Sequence, residues 1–141
     1  MDVLDTLQIS ASGLVAERIR LQAISANLAN ARTTRTSEGI GPYQRRSPIF
    51  ESVPMDAFGD VFDRELSQVT VADVMVAQSQ GRAVYEPGHP DADASGMVRY
   101  PDIDILHEMV DLMGTARSYE ANANVLDTTK ALAMRALEIG K

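Results

Sequence analysis

Two histidines lie beside carboxylates, at places where this chain could bind a metal ion or carry out acid–base chemistry. The first, His89, is followed by Asp91 and Asp93 in the segment EPGHPDADASG. An imidazole with nearby carboxylates can bind zinc or calcium. However, Pro and Gly dominate this segment, and it does not match the D-x-[DN]-x-[DN]-G pattern of a calcium-binding loop. We therefore interpret it as a structural turn.

The second histidine, His107, is followed by Glu108 near the start of a predicted helix. A helical zinc-protease motif requires another His four residues after the first, and position 111 is Asp. We expect Glu108 and Asp111 to be solvated and to complement the positive end of the helix dipole. The chain also has no Cys and no phosphate-binding Gly-rich motif. The residues therefore offer few groups for catalysis or metal binding, although carboxylates alone can do acid–base work.

Charge is distributed unevenly along the chain. The first 50 residues contain six Arg and four acidic residues, whereas residues 51–141 contain seven basic and sixteen acidic residues. This asymmetry favours head-to-tail contacts between copies or relatives and argues against binding to nucleic acid. No apolar run approaches the roughly 18 residues of a membrane span, and the chain does not begin with the basic and apolar segments of a secretory signal. We predict no direct membrane insertion and no cleavable signal peptide.

The N-terminal part of the chain has a seven-residue rhythm between residues 3 and 31. Leu7, Leu14, Leu21 and Leu28 are each seven residues apart, and the segment contains no Pro. The pattern predicts a helix of about 28 residues, roughly 42 Å long at 1.5 Å per residue. Its repeat is typical of a coiled coil.

A second long helix is predicted from about residue 103 to residue 139, with Asp102 or Asp104 capping its first turn. Its seven-residue series consists of Ile105, Leu112, Tyr119, Leu126 and Ala133, and the positions four residues after each are Met109, Ala116, Ala123, Lys130 and Leu137. Gly114 interrupts the pattern and should cost about 1 kcal/mol relative to Ala. Close approach of a neighbouring helix would explain it.

The region between the helices is predicted to be a small β-rich insert. Strand candidates lie in YQRRSPIF, in residues 81–87, in SGMVRYP and in QVTVADVMVAQS, the last being either two short strands or one strand with a bulge at Ala72-Asp73. The segment DAFGDVFDREL could form a weak helical turn. These patterns predict three regions: an N-terminal helical region (1–34), a β-rich insert (35–100) and a C-terminal helical region (101–141).

Asparagines and small residues accompany the apolar stripes of both helices. Asn27 and Asn30 end the first stripe, and Asn122 lies within the second. Neighbouring Ala residues would allow helices to approach closely, so that the amides could hydrogen-bond across helices and set their register. The predicted helix-packing interface comprises Leu7, Leu14, Leu21, Asn27, Leu28, Asn30, Ile105, Met109, Leu112, Ala116, Tyr119, Asn122, Leu126, Ala133 and Leu137.

Both ends of the chain resemble one protein family. Residues 7–36, LQISASGLVAERIRLQAISANLANARTTRT, are similar to the opening segment shared by the axial proteins of the bacterial flagellar rod and hook. Residues 84–140 resemble the proximal rod proteins of this family in particular. The matching positions are residues 12–14, 27–31 and 33–34 in the first segment, and residues 87–92, 96, 100–101, 108–110, 117–122 and 128–130 in the second.

The resemblance implies a structural subunit of the flagellar basal-body rod, without catalysis or cofactors. It implies a mainly α fold, in which two long terminal helices form an antiparallel coiled coil lining a tubular assembly and the β-rich insert faces outward. The implied partners are further copies of the chain, other rod proteins and the flagellar type III export apparatus. The implied location is the periplasmic rod, reached by export without a cleavable signal peptide.

Two other classes of function are compatible with the residue patterns. A soluble helical adaptor, or a binding module like an export chaperone, could use the same apolar stripes in a discrete complex. An enzyme that relies on carboxylates alone is the least favoured, because no pair of them has a recognisable arrangement.

Overall fold

A computed structural model describes residues 3–37, 41–55 and 66–139. Its elements are, in chain order, α1 (Val3–Ala29), β1 (Arg46–Pro54), β2 (Ser67–Val76), β3 (Arg82–Tyr85), β4 (Met97–Tyr100) and α2 (Ile105–Ile139). The prediction of a long helix at each end with short strands between them is confirmed. The helical turn suggested for DAFGDVFDREL lies outside the described residues, except for Leu66.

The four strands form two sheets of two strands each, β1 with β2 and β3 with β4. β2 is a single strand of ten residues, so the alternative interpretation of this segment as two short strands is wrong. Pro48 lies within β1. In a two-stranded sheet every strand is an edge strand, which is where a residue without an N–H group is tolerated.

The chain divides into two compact units, and each contains part of both helices. One unit consists of Met1–Leu21, Pro48–Asp73 and Gly114–Lys141; the other consists of Gln22–Ser47 and Val74–Met113. In the first unit the buried residues of the helices are small, namely Ser10, Ala16 and Thr115. A β-carbon added at Gly13 would lie only 2.9 Å from Nδ2 of Asn122. Small side chains therefore allow α1 and α2 to approach closely here.

A serine of α1 holds the insert strand β2 in the first unit. The Ser12 hydroxyl donates a hydrogen bond to the Ile9 carbonyl (2.8 Å) and accepts one from the backbone N–H of Val69 (3.1 Å). One turn beyond Ala16, the Arg20 guanidinium lies 5.3 Å from the centre of the Phe50 ring, a cation–π distance. These contacts connect both strands of the first sheet to α1.

The second unit contains an antiparallel hairpin of β3 and β4, in which Arg82 is opposite Tyr100 and Tyr85 is opposite Met97. Val98 in β4 is completely buried. The hairpin is preceded by Gly81, which has a φ of 74°, and a β-carbon there would lie 2.4 Å from the Tyr100 carbonyl oxygen. Only Gly fits this position, since both the backbone angle and the space exclude a side chain.

The start of α2 is capped by one of the two predicted candidates. Oδ1 of Asp104 accepts hydrogen bonds from the backbone N–H groups of Leu106 (2.9 Å) and His107 (3.4 Å). Asp104 is therefore the N-cap, whereas Asp102 accepts only a long hydrogen bond from the Ser79 hydroxyl (3.5 Å). The helix begins at Ile105, two residues later than the sequence pattern suggested.

Replacing Gly114 and Gly13 by Ala tests how closely α1 and α2 approach each other in the first unit. Nothing lies within 4 Å of a β-carbon at Gly114, so Gly114→Ala should raise the free energy of unfolding by about 1 kcal/mol through helix propensity. Gly13→Ala gains the same propensity but must displace the Asn122 amide, so its gain should be smaller or negative. Urea unfolding followed by circular dichroism measures both.

The double variant Gly13→Ala/Asn122→Ala is the matched control, because removing the amide should restore the stabilisation by Ala at position 13 relative to Asn122→Ala alone. Equal gains from Gly13→Ala and Gly114→Ala would contradict the close contact of Gly13 with Asn122.

Candidate functional site

A cluster of buried polar side chains lies in the second unit, centred on Asn27 of α1. The Asn27 side chain is 1% exposed. Its Nδ2 donates hydrogen bonds to the Arg46 carbonyl (2.9 Å) and to Oε2 of Glu108 (3.1 Å). Its Oδ1 accepts from the Arg46 N–H (2.9 Å) and from the Tyr43 hydroxyl (3.2 Å). This amide thus uses all four of its hydrogen-bonding positions and joins α1, α2 and the beginning of β1.

Glu108 is the charged member of this cluster, and its side chain is also 1% exposed. One carboxylate oxygen accepts the bond from Asn27, and the other accepts a 2.6 Å charge-assisted bond from Nε of Arg45. Nη1 of Arg45 donates in turn to the Ser47 hydroxyl (2.7 Å). A buried carboxylate is tolerated only when it is paired and hydrogen-bonded, and both conditions hold. The prediction that Glu108 is solvated is therefore wrong.

Tyr43 closes the cluster on the side of the segment that leads into β1. Its side chain is buried, and the Arg46 guanidinium lies 5.8 Å from the centre of its ring. Burial raises the pKa of the Tyr43 hydroxyl; the positive charge of Arg46 opposes this shift and the negative charge of Glu108 adds to it. The hydroxyl is thus kept protonated, as a donor to Asn27 must be.

The two asparagines that end the first stripe have different roles within the chain. Asn30 bonds locally, because its Nδ2 donates to the Ala26 carbonyl (2.9 Å) and its Oδ1 accepts from the Thr33 hydroxyl (3.1 Å). These bonds cap the C-terminal end of α1. Within the chain, the predicted amide bond across helices is therefore made by Asn27 and not by Asn30.

The segment around His89 forms the predicted turn. Oδ1 of Asp93 accepts bonds from Ser95 N–H (2.8 Å), the Ser95 hydroxyl (2.7 Å) and Met97 N–H (3.0 Å). These bonds, with that of the Ser95 hydroxyl first, lower the pKa of the Asp93 carboxyl. Asp91 instead binds Arg35 (2.6 Å) and the Thr34 hydroxyl (2.7 Å).

No group of three or more His, Asp or Glu side chains capable of holding a metal ion occurs in residues 3–37, 41–55 and 66–139. His107 lies 3.6 Å from the Asp111 carboxylate, one turn later on α2. A cleft of about 550 Å³ lies beside the polar cluster, and the described residues that line it contribute mainly hydroxyls, amides and the side chains of Arg35 and Arg46.

The large apolar residues of the predicted interface are not buried within the chain. Ile105, Met109, Tyr119 and Leu137 are exposed, and Leu137 is 73% exposed. The leucine series of α1 and the remaining members are half-buried, except for buried Asn27: Leu7, Leu14, Leu21, Leu28, Asn30, Leu112, Ala116, Asn122, Leu126 and Ala133. Both helices thus bury mainly small and polar residues inside the chain.

Two residues of the polar cluster, Tyr43 and Arg45, were not singled out from the sequence. Glu108 was singled out, but it was expected to be solvated and not buried. For Glu108 a signal existed, since it lies two seven-residue repeats before Asn122. The buried positions Glu108 and Thr115 follow members of the Ile105 series by three residues. The predicted interface contained only Asn122 at such a position and otherwise used the positions four residues after the series.

No helix in the part of the chain that the structure describes is long and apolar enough to cross a membrane. Two family models match the sequence. The model described as flagella basal body rod protein matches residues 7–35, and the model described as the C-terminal region of flagellar basal body rod FlgEFG proteins matches residues 94–139.

Similar proteins match over the whole chain. The flagellar basal-body rod protein FlgC of Bacillus subtilis (strain 168) is 39% identical over 151 aligned positions, and that of Escherichia coli O6:H1 is 38% identical over 143, each with 100% of both chains covered. The FlgC protein of Borreliella burgdorferi is 34% identical, with 99% of this chain and 98% of that protein covered.

Removing the central amide should destabilise the second unit. Asn27→Ala leaves the buried Glu108 oxygen, the Tyr43 hydroxyl and the Arg46 backbone groups without their partner, so the free energy of unfolding should fall by roughly 2–4 kcal/mol. Asn124→Ala, at an exposed position of α2, should change it by less than about 0.5 kcal/mol. Chemical unfolding measures both, and similar losses would show that the cluster contributes no specific stability.

Alkaline pH should weaken the same cluster. In the folded chain the pKa of the Tyr43 hydroxyl is raised above its ordinary value of 10.0. The stability that the protonated hydroxyl contributes to the fold is therefore complete below about pH 10 and is lost as the pH rises through the raised pKa. The Tyr100 pKa is also raised, first by its hydrogen bond to Glu86. Tyr43→Phe should therefore remove part of the alkaline loss of stability, and Tyr100→Phe another part. An unchanged pH profile in Tyr43→Phe would exclude the role of Tyr43.

Proposed function

The chain belongs to the FlgC family of flagellar basal-body rod proteins, and we propose that its terminal helices pack with those of neighbouring subunits to build a tubular drive shaft. The family resemblance expected from both chain ends is confirmed. With it, the expectation of a structural rod subunit rather than an enzyme is confirmed. The comparisons do not favour a soluble adaptor.

The observation that carries the proposal is the location of the large apolar side chains. Apart from Ile24, the fully buried residues of the helices are small or polar, whereas Leu4, Leu106, Leu132 and Leu137 are each more than half exposed. Exposed apolar surface of this extent is typical of an interaction surface. A subunit whose stability depends on its neighbours would fold fully only within the assembly, as the apolar stripes predict.

We infer that α1 and α2 pair as an antiparallel coiled coil. Gly13 lies against Asn122 in the first unit, and Asn27 is hydrogen-bonded to Glu108 in the second. From the first contact to the second, α1 advances by two seven-residue repeats while α2 goes back by two. Antiparallel helices with a coiled-coil repeat have this relation between contacting residues.

The remaining expectations complete the proposal. Residues 1–34 and 101–141 would form the axial part of the shaft, with residues 35–100 on its outside. The partners would be further copies of the chain, other rod proteins and the type III export apparatus. Its location would be the periplasmic part of the rod, reached without a cleavable signal peptide. Many interlocked helices would supply the stiffness that torque transmission requires.

A charge on the exposed apolar surface should block incorporation into the rod without unfolding the subunit. Leu137→Asp places a carboxylate where we expect a neighbour to pack, and burying an unpaired charge is costly. Basal bodies purified from cells producing this variant should lack the chain, and the cells should not swim. The circular dichroism of the isolated variant should be unchanged, because Leu137 is 73% exposed.

Asn124→Asp is the matched control, because it adds the same charge at an exposed polar position of the same helix. We expect it to be incorporated normally. Normal swimming with Leu137→Asp, or an equal defect with Asn124→Asp, would contradict packing through the apolar surface.

A further inference from the structure

The hydrogen bonds at the two ends of the first sheet show which backbone groups of β1 face β2. In an antiparallel pair, alternate residues turn their N–H and C=O groups towards the neighbouring strand and away from it. At one end the Arg45 carbonyl accepts a bond from the N–H of Ala77 (2.8 Å), and at the other the N–H of Met55 donates to the Leu66 carbonyl (2.9 Å). The odd-numbered residues of β1 therefore face β2, and the even-numbered residues face away from it.

The even-numbered residues, called here the outer edge of β1, have few N–H groups to offer to another strand. The N–H and C=O groups of Arg46 both bind the Asn27 amide. Pro48 and Pro54 also belong to the outer edge, and proline has no N–H group. Among the described residues, β1 is paired in its sheet with β2 alone. No third strand of the described chain therefore covers this edge.

The remaining members of the outer edge are Phe50 and Ser52, which lie between the two prolines. Ser52 and Pro54 are exposed, so the edge is accessible to another molecule. A strand that added to it would find only these two N–H donors and would meet a proline ring on each side of them. Proline on an exposed edge opposes pairing with another chain, since it removes a donor and its ring occupies the space of the incoming strand.

The opposite edge of the sheet, formed by β2, is irregular. The N–H of Val69 faces away from β1 and binds the Ser12 hydroxyl (3.1 Å). β2 has ten residues and β1 has nine, although both ends of the sheet are joined by hydrogen bonds. β2 therefore contains one additional residue, a β-bulge. A bulge leaves a residue unpaired and bends the strand, which makes an edge less suitable for strand addition.

We propose that Pro48 and Pro54 block strand addition at β1, so that copies of this chain do not join through their sheets. The occupant that they exclude is the outer edge of a second copy. Two such edges in antiparallel orientation present the same row of groups to each other, as in other contacts with twofold symmetry. The proposal goes beyond the function proposed above and does not depend on the packing of helices in a rod.

The double variant Pro48→Thr/Pro54→Thr tests this proposal in the isolated full-length chain. Thr restores both N–H groups and favours strands while adding little apolar surface. Amide hydrogen exchange at Phe50 and Ser52 is measured at low and high protein concentration. In the wild-type chain both N–H groups should exchange rapidly at either concentration. In the double variant their exchange at high concentration should be slower by roughly tenfold or more, because a second copy pairs with them.

Two further variants separate edge pairing from other effects of the substitutions. Adding Ser52→Pro to the double variant places a different proline on the same edge, so exchange at Phe50 should again be rapid at both concentrations. Pro87→Thr/Pro90→Thr, at two exposed prolines outside the strands, is the matched control and should behave like the wild-type chain. If the double variant does not fold, Pro54→Thr alone should show the same effect at Ser52 to a smaller extent.

Three results would overturn the proposal. The first is rapid exchange at Phe50 and Ser52 in a folded double variant, or in folded Pro54→Thr, at high concentration. The second is slow exchange at Phe50 that persists after Ser52→Pro is added. The third is slow, concentration-dependent exchange at these residues in the wild-type chain. Absence of the wild-type chain from purified basal bodies would instead contradict the proposed function and leave this proposal unaffected.

Discussion

The hydrogen bond between the Asn27 amide and the Glu108 carboxylate is the interaction on which the second unit depends. It joins the two helices, and the other bonds of the amide attach the segment leading into β1. A buried charge with its partners adds little net stability compared with apolar packing, but breaking it is costly because a charge is left unpaired. Such a cluster therefore permits few alternative arrangements. Its main effect is to select one rotation and one register of the helices, as a single polar residue does in a coiled coil.

The rotation of α2 that this cluster selects also determines which of its side chains are exposed. When Glu108 faces inward, the neighbouring positions Leu106, Met109 and Val110 must face outward. Among the described residues, the buried apolar side chains are few: Ala16, Ile24, Ala31, Tyr43 and Val98. This core can contribute only modest hydrophobic stabilisation, because burial energy increases with the apolar area removed from water. The rod packing proposed above would cover this exposed apolar surface and so add to the stability of the subunit.

Local features were predictable where short-range physical chemistry decides them. The turn after β3 follows from the Pro, Gly and Asp residues of its segment, and its bonds to Asp93 are of the kind that such residues form. The cap at Asp104 and the hairpin of β3 and β4 follow from similar signals. The interpretation of the β2 segment as two short strands was wrong. It rested on Val69 and Val71 being at odd positions and Val74 and Val76 at even ones, which would place the two pairs on opposite faces of a regular strand. Pairing with β1 nevertheless keeps the segment as one strand.

The sequence by itself determined the two long helices, the strands between them, the family and the non-catalytic character of the protein. These conclusions depend on residue spacing and on motifs, both of which can be read without knowing the partners of any side chain. Only the tertiary structure decided which face of each helix turns inward, that Glu108 is buried and that Asn27 rather than Asn30 joins the helices. The reason is that periodicity identifies the residues that share a face, whereas the inward face is selected by groups distant in sequence, here Arg45 and Tyr43, whose approach no local pattern specifies.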